Sequence, residues 1–226
     1  SPFHLIAKHY LFSAHMFQLA ITFFVIVPLL VISIPAEVYE KLSWNYKFRS
    51  TMKIAGNPFL IFIVFNLLFS IYFVPNVFNT LHEFRLLYIF YYLILLLYAF
   101  FMWTIVIGTF KRIYNLKPLY RIAFIFFISM ALMPIGFYHL LVLSARYAPY
   151  IATEAQFIPI LTNVYDQQLA GGLLKLIQLS SFIYVMYQIV KRWAIEMQEK
   201  DGDPLDESLR VVQGIVIRTN QSTKNK

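Results

Sequence analysis

The chain has 226 residues, of which 60% are hydrophobic and 13% charged, with a formal net charge of +8 and no cysteine. That apolar share excludes an ordinary soluble domain, and zero Cys excludes disulfides, zinc ribbons, iron–sulfur ligation and thiolate copper shuttles, leaving His, Met and carboxylates as metal ligands. The basic residues occupy short segments between apolar runs, a pattern of membrane topology rather than of a nucleic-acid-binding face.

Five apolar runs are long enough to be membrane helices, and none alternates as a barrel strand would. The first, 10–34, has no Asp, Glu, Lys or Arg between Leu11 and Ile34, where His15 is the one side chain able to take a positive charge. It would make about 36 Å of helix against a hydrocarbon core of about 30 Å. The second, 58–77, opens on Asn57-Pro58, a cap followed by proline at the first helical position. The third is 86–108 and the fourth 119–143. The fifth, 169–190, follows Asp166 and closes on Lys191-Arg192-Trp193, basic and aromatic anchors of a membrane interface. The fold class expected is therefore all-α, a multispan transmembrane helix bundle over 1–193. A polar tail, 194–226, follows.

Lys and Arg alternate along the connections. Lys41, Lys47, Arg49 and Lys53 precede the second run, and Lys111, Arg112 and Lys117 precede the fourth, whereas the other two connections carry Arg85 and Arg146. With five spans this predicts the N-terminus of the chain outside and the tail in the cytoplasm. An N-out start without Met or a signal peptide points to spans upstream.

On that topology all five histidines, His4, His9, His15, His82 and His139, fall on the outer side. Imidazole with thioether is a ligand set suited to copper, and the candidate metal ligands are His15, His139, His82, His9 and Met16. His9 and His15 are six residues apart, so on one straight helix they point about 120° away from each other, and Met16 points about 100° from His15. Any site must be built between helices. The second constellation is a polar seam on the fifth run: Asp166, Gln167 and Gln168, then Gly171-Gly172, then Lys175 and Gln178 on one face. Asp166 is placed to cap its own helix, the glycines allow close helix approach, and Lys175 must snorkel, face a cavity or meet an acidic partner. Pro134 is placed to open the fourth helix near His139.

Ser13-Ala14-His15-Met16-Phe17-Gln18, with Pro28 and Ile34-Pro35 behind it, and Asp166-Gln167-Gln168-Leu169-Ala170-Gly171 resemble, in order and spacing, the CtaG-like cytochrome c oxidase assembly factors of Bacillus and related bacteria. The resemblance implies a multispan protein of the bacterial plasma membrane, usually of seven helices, that serves assembly of a caa-type oxidase, has oxidase subunits as partners and handles copper. It carries His15 and the Asp166-Gln167-Gln168 triplet over directly. Relatives have further histidines where Leu19, Phe73 and Tyr91 or Tyr92 stand here, so this chain departs from the full histidine set.

No paired carboxylates, nucleophile triad or phosphate-binding loop is present, and a non-enzymatic role is expected. The reading is an oxidase assembly factor that binds or delivers copper at the outer face. The alternatives are a transporter or channel with a polar path near Lys175, a haem protein ligated by His15 and His139, and a metal-free scaffold.

Overall fold

The computed structural model describes residues 7, 10–151, 161–202, 204–206, 209–212 and 215–218. It is helical, with α1 Phe12–Ser33, α2 Ala36–Trp44, α3 Tyr46–Ala55, α4 Pro58–Tyr72, α5 Pro75–Glu83, α6 Arg85–Ile107, α7 Pro118–Leu140, α8 Ala148–Ile151 and α9 Asn163–Gly202. Among the described residues four helices, α1, α6, α7 and the Asn163–Gln198 part of α9, are long and apolar enough to cross a membrane. They become five if the Tyr46–Ile54 and Pro58–Tyr72 pair, bent by 62°, counts as one broken span. The chain divides into two units, 1–184 and 185–226. In the second, β1 Pro204–Asp206, β2 Leu209–Val212 and β3 Ile215–Arg218 form an antiparallel sheet in the order β1-β2-β3.

The second apolar run is interrupted. α4 stops at Tyr72, and Pro75 opens α5 as a separate helix that buries Phe78 and Leu81. Proline cannot supply the N–H that would continue α4, so the chain turns at Phe73-Val74 and starts again. At 15 residues α4 is about 22 Å long. It nevertheless runs antiparallel to α1, because Tyr72 at its end is bonded to His15 near the start of α1.

Proline also shapes α1. Thr22–Ile26 forms a π-helical segment directly before Pro28. Without an N–H at residue 28, the carbonyls four and five residues back lose their helical donor. Those are Phe24 and Phe23, and both are recovered by other helices: Trp103 Nε1 of α6 donates to Phe23 O at 2.8 Å, and Ser181 Oγ of α9 donates to Phe24 O. Trp103, Phe23, Phe24 and Phe182 pack together around these bonds in the core. Trp103→Phe keeps an aromatic side chain but removes the donor and the second ring. It should cost about 1–3 kcal/mol for the stranded carbonyl, read as a lower unfolding midpoint in detergent.

At the opposite end from His15, α6 terminates on Gly108 in the left-handed conformation, φ +77°. Arg121 of α7 donates Nε to Val106 O at 2.7 Å and a terminal N–H to Ile107 O at 2.5 Å, so a cation caps the negative end of α6.

Candidate functional site

Asp166 builds the end of the bundle that carries His15. Its Oδ2 accepts from Phe12 N at 2.6 Å, and its Oδ1 accepts from Ser13 N at 3.1 Å and from Ser13 Oγ. These are the orphan amides of the first turn of α1, and a carboxylate there also complements the positive end of the helix. Asp166 lies in the first turn of α9, as expected from sequence, but its side chain caps α1, 153 residues away, instead of its own helix. The two glutamines beside it extend the clamp: Gln167 Oε1 accepts from Arg146 N at 3.1 Å, and Gln168 donates Nε2 to Val142 O at 3.0 Å. The triplet thus ties the start of α9 to the start of α1 and to the segment after α7.

His15 lies one turn into α1, buried, sharing a 2.8 Å hydrogen bond through Nε2 with Tyr72 Oη. His82, on α5, has its ring centroid 5.6 Å from that of His15. Its Nδ1 is 2.8 Å from Phe78 O; a carbonyl only accepts, so Nδ1 carries the proton and, in the neutral ring, Nε2 is the basic nitrogen. Both histidines line a cleft of about 460 Å³ between α1, α5 and α6, with Gln18, Leu19, Leu81, Arg85, Tyr88, Ile89 and Tyr92. Gln18 lies three residues after His15, and Tyr88 and Tyr92 follow Arg85 at helical spacing, so each group shares a helix face.

His139 is elsewhere. It is fully buried, with Nδ1 2.7 Å from Ile135 O and Nε2 2.8 Å from Tyr147 Oη, while Tyr147 donates to Phe73 O at 2.8 Å. Burial pushes the Tyr147 phenol well above its ordinary pKa, so it stays protonated and able to donate. The Phe12 ring stacks on Tyr147 at 4.4 Å and on His139 at 5.5 Å, and faces His15 on its other contacts at 6.3 Å. Nδ1 of His139 is thus engaged by its own helix, and Nε2 meets Tyr147, which ties the segment before α8 to the α4–α5 turn. Met16 is buried and lies outside the cleft lining. His4 and His9 fall outside the described residues. Among the described residues no three His, Cys, Asp or Glu side chains converge as a metal-holding group. The structure therefore brings together His15 and His82, and leaves His139 and Met16 in the packing.

Sequence reasoning missed Tyr72, Tyr147 and Phe12, which orient or separate the histidines, and the cleft residues Arg85, Tyr88 and Tyr92. The i, i+3 and i+7 spacing of Arg85, Tyr88 and Tyr92 was the available signal. The partners of Tyr72 and Tyr147 come from other elements and left none.

On the seam, Gly171 meets α7 so closely that a Cβ would fall 2.8 Å from Gly136 O, 2.8 Å from His139 Cβ and 3.0 Å from Leu140 N. Gly136 in turn faces the alkyl stem of Lys175. Lys175 Nζ donates to Leu132 O at 2.7 Å and to Gln178 Oε1 at 2.9 Å.

No curated protein and no solved structure matches the chain. The clamp, the histidine cleft and the lysine seam all lie within residues 1–196, the stretch matched by the family model for the cytochrome c oxidase caa3 assembly factor (Caa3_CtaG), and the chain belongs to that family.

Proposed function

We propose that the chain serves assembly of the oxidase by holding one Cu(I) ion on His15 and His82 and passing it to an oxidase subunit at the outer face of the bacterial plasma membrane. The observation that carries this reading is the pair of imidazoles 5.6 Å apart in one cleft. His82 donates its other ring nitrogen to a backbone carbonyl, the second-shell arrangement that orients metal-ligating histidines. Two imidazoles with no carboxylate in the cleft lining suit a singly charged ion of low coordination number, and the Arg85 cation at the cleft opposes a divalent ion more. Leu19, where relatives by resemblance carry histidine, lines the same cleft, as does Tyr92, one of the two positions, Tyr91 or Tyr92, near which they carry another. The outward orientation is supported by the exposed Lys41, Lys47, Lys53, Lys111 and Arg112 at the far end.

Anaerobic Cu(I) titration of the detergent-purified protein against a competing chelator tests the reading. One ion per chain is expected, weakened at least about ten-fold by His15→Ala or His82→Ala and unchanged by His139→Ala. Failure of the wild type to compete for Cu(I) overturns the copper assignment and leaves a metal-free scaffold.

A further inference from the structure

The end of the bundle remote from His15 carries two connections, 34–57 between α1 and α4 and 108–117 between α6 and α7. The first is folded as α2 and α3, and the second is fastened to both. Phe110 meets Tyr39 edge to face at 4.9 Å and packs on Phe48 at 5.7 Å, Tyr114 donates to Met52 O, and Arg112 stands 3.5 Å over the Trp44 ring. Tyr39 Oη donates at 2.8 Å to Val31 O, a carbonyl of the last turn of α1. Asn45 accepts from Lys47 N and Phe48 N and so caps α3. The two connections therefore form one platform, held at the level where α1 and α6 stop and α4 and α7 begin.

The outer surface of this platform is not that of a water-facing loop. Tyr39, Ser43 and Met52 turn inward, whereas Val38, Leu42, Trp44, Tyr46 and Ile54 are exposed, the last two at 74%. At about 100° per residue, Tyr46, Ser50 and Ile54 form a stripe about 80° wide along α3, with Lys53 about 20° beyond one margin and Lys47 about 20° beyond the other. Lys47 and Lys53 are both exposed, as is Lys111 on the second connection. An apolar stripe bracketed by lysines suits a helix that lies in a membrane interface: rings and alkyl groups sink between the headgroups, and the ammoniums reach sideways to the phosphates. Exposed Trp and Tyr at the ends of spans have the same preference. Charge then selects among lipids, since the two connections carry seven Lys and Arg against two Glu, a surplus of five positive charges.

We propose that the α2–α3 platform is a binding surface for anionic phospholipid, with Tyr46 and Ile54 seated in the interface and Lys47, Lys53 and Lys111 holding headgroup phosphates. The occupant is lipid because the platform lies at the level of the helix ends, where headgroups are at hand, and because its exposed cations are interleaved with large apolar side chains. A purely aqueous acidic partner would leave Tyr46 and Ile54 without use. The surface lies at the opposite end of the bundle from the His15–His82 cleft, and the proposal depends neither on copper nor on the assembly role. It makes the composition of one leaflet a determinant of how the ends of α1, α4, α6 and α7 are held.

The test uses the full chain with Trp193→Phe, reconstituted in vesicles of phosphatidylcholine containing a minor fraction of phosphatidylglycerol, and reads quenching of Trp44 by bromine on the acyl chains. Trp103 is fully buried, and Trp44→Phe supplies the blank. Bromine is placed either on the phosphatidylglycerol or on an equal amount of the phosphatidylcholine. A lysine near an anionic surface contributes about five-fold in enrichment, so bromine on the anionic lipid is expected to quench at least about three-fold more strongly, with the preference shrinking at high salt. The combined variant Lys47→Gln, Lys53→Gln, Lys111→Gln should be quenched equally by both lipids, and the corresponding combination of Lys→Arg changes should keep the preference. Equal quenching in the wild type, or a preference that survives the glutamine changes, overturns the proposal. So does an absence of quenching by either lipid, which would put the platform in water and favour an acidic protein face. Should the glutamine variant fail to fold, the wild type decides alone: a preference that salt does not reduce overturns the proposal, and one that salt abolishes supports it.

Discussion

Asp166→Ala is expected to lower the stability of the bundle by about 3 kcal/mol or more, because one carboxylate serves three donors on α1 and charge-assisted hydrogen bonds contribute about 1.5–3 kcal/mol each. Alanine leaves the Phe12 and Ser13 amides and the Ser13 hydroxyl buried without an acceptor, and removes the negative charge from the positive end of α1. The effect reaches the cleft, since His15 is two residues beyond Ser13 and takes its position from the first turn of that helix. Thermal unfolding in detergent should show a lower midpoint, and Cu(I) competition should show weaker binding although no ligand has been touched. Asp166→Asn should fall between, because one oxygen still accepts while the amide nitrogen confronts the Ser13 donors. An unchanged midpoint in Asp166→Ala would mean that the clamp does not hold α1.

The second large effect is expected at Gly171. Two of the three atoms that a Cβ would meet are backbone, Gly136 O at 2.8 Å and Leu140 N at 3.0 Å, and the third is His139 Cβ at 2.8 Å. None is the movable end of a side chain, so Gly171→Leu must push α7 and α9 apart. Overpacking of this kind costs about 1–3 kcal/mol at ordinary sites. Here separation also breaks the Lys175 bond to Leu132 O and displaces His139 from Tyr147, so the upper end of that range or beyond is expected. Gly172→Ala is the matched control: its Cβ would meet Leu140 Cδ2 at 3.7 Å, an ordinary contact. A Gly171→Leu variant as stable as Gly172→Ala would refute the close approach.

The membrane-helical class was legible because long uncharged runs admit few other solutions, and the gathering of His15 and His82 at one end followed from their places relative to those runs. The break at Pro75 was legible only as a proline that interrupts 58–77: that run is mostly apolar on both sides of it, and hydropathy does not register the missing N–H that ends α4. Asp166 was read as a cap because it is an acidic residue at a helix start, yet the helix it caps lies at the other end of the sequence. Capping rules describe neighbours along the chain, and this bond joins neighbours in space. His139 was grouped with the ligands by its depth, but depth carries no information about the Tyr147 and Ile135 oxygens that occupy its ring nitrogens. The lysine seam was visible as a puzzle, a charge too deep to ignore. The direction of its amine depended on Gly136 from another helix.

Because the cap on α1 is supplied by α9, an earlier helix is completed by one made some 150 residues later. As the ribosome delivers the chain, α1 enters the membrane with its first amides uncapped, and they remain so until some 150 further residues have followed. Until then His15 stands on a fraying turn, and the cleft with His82 has no fixed wall. A polypeptide released before α9 therefore lacks the acceptor for these amides, however well its earlier helices insert. The clamp makes the first turn of α1, and with it the position of His15, dependent on the arrival of α9.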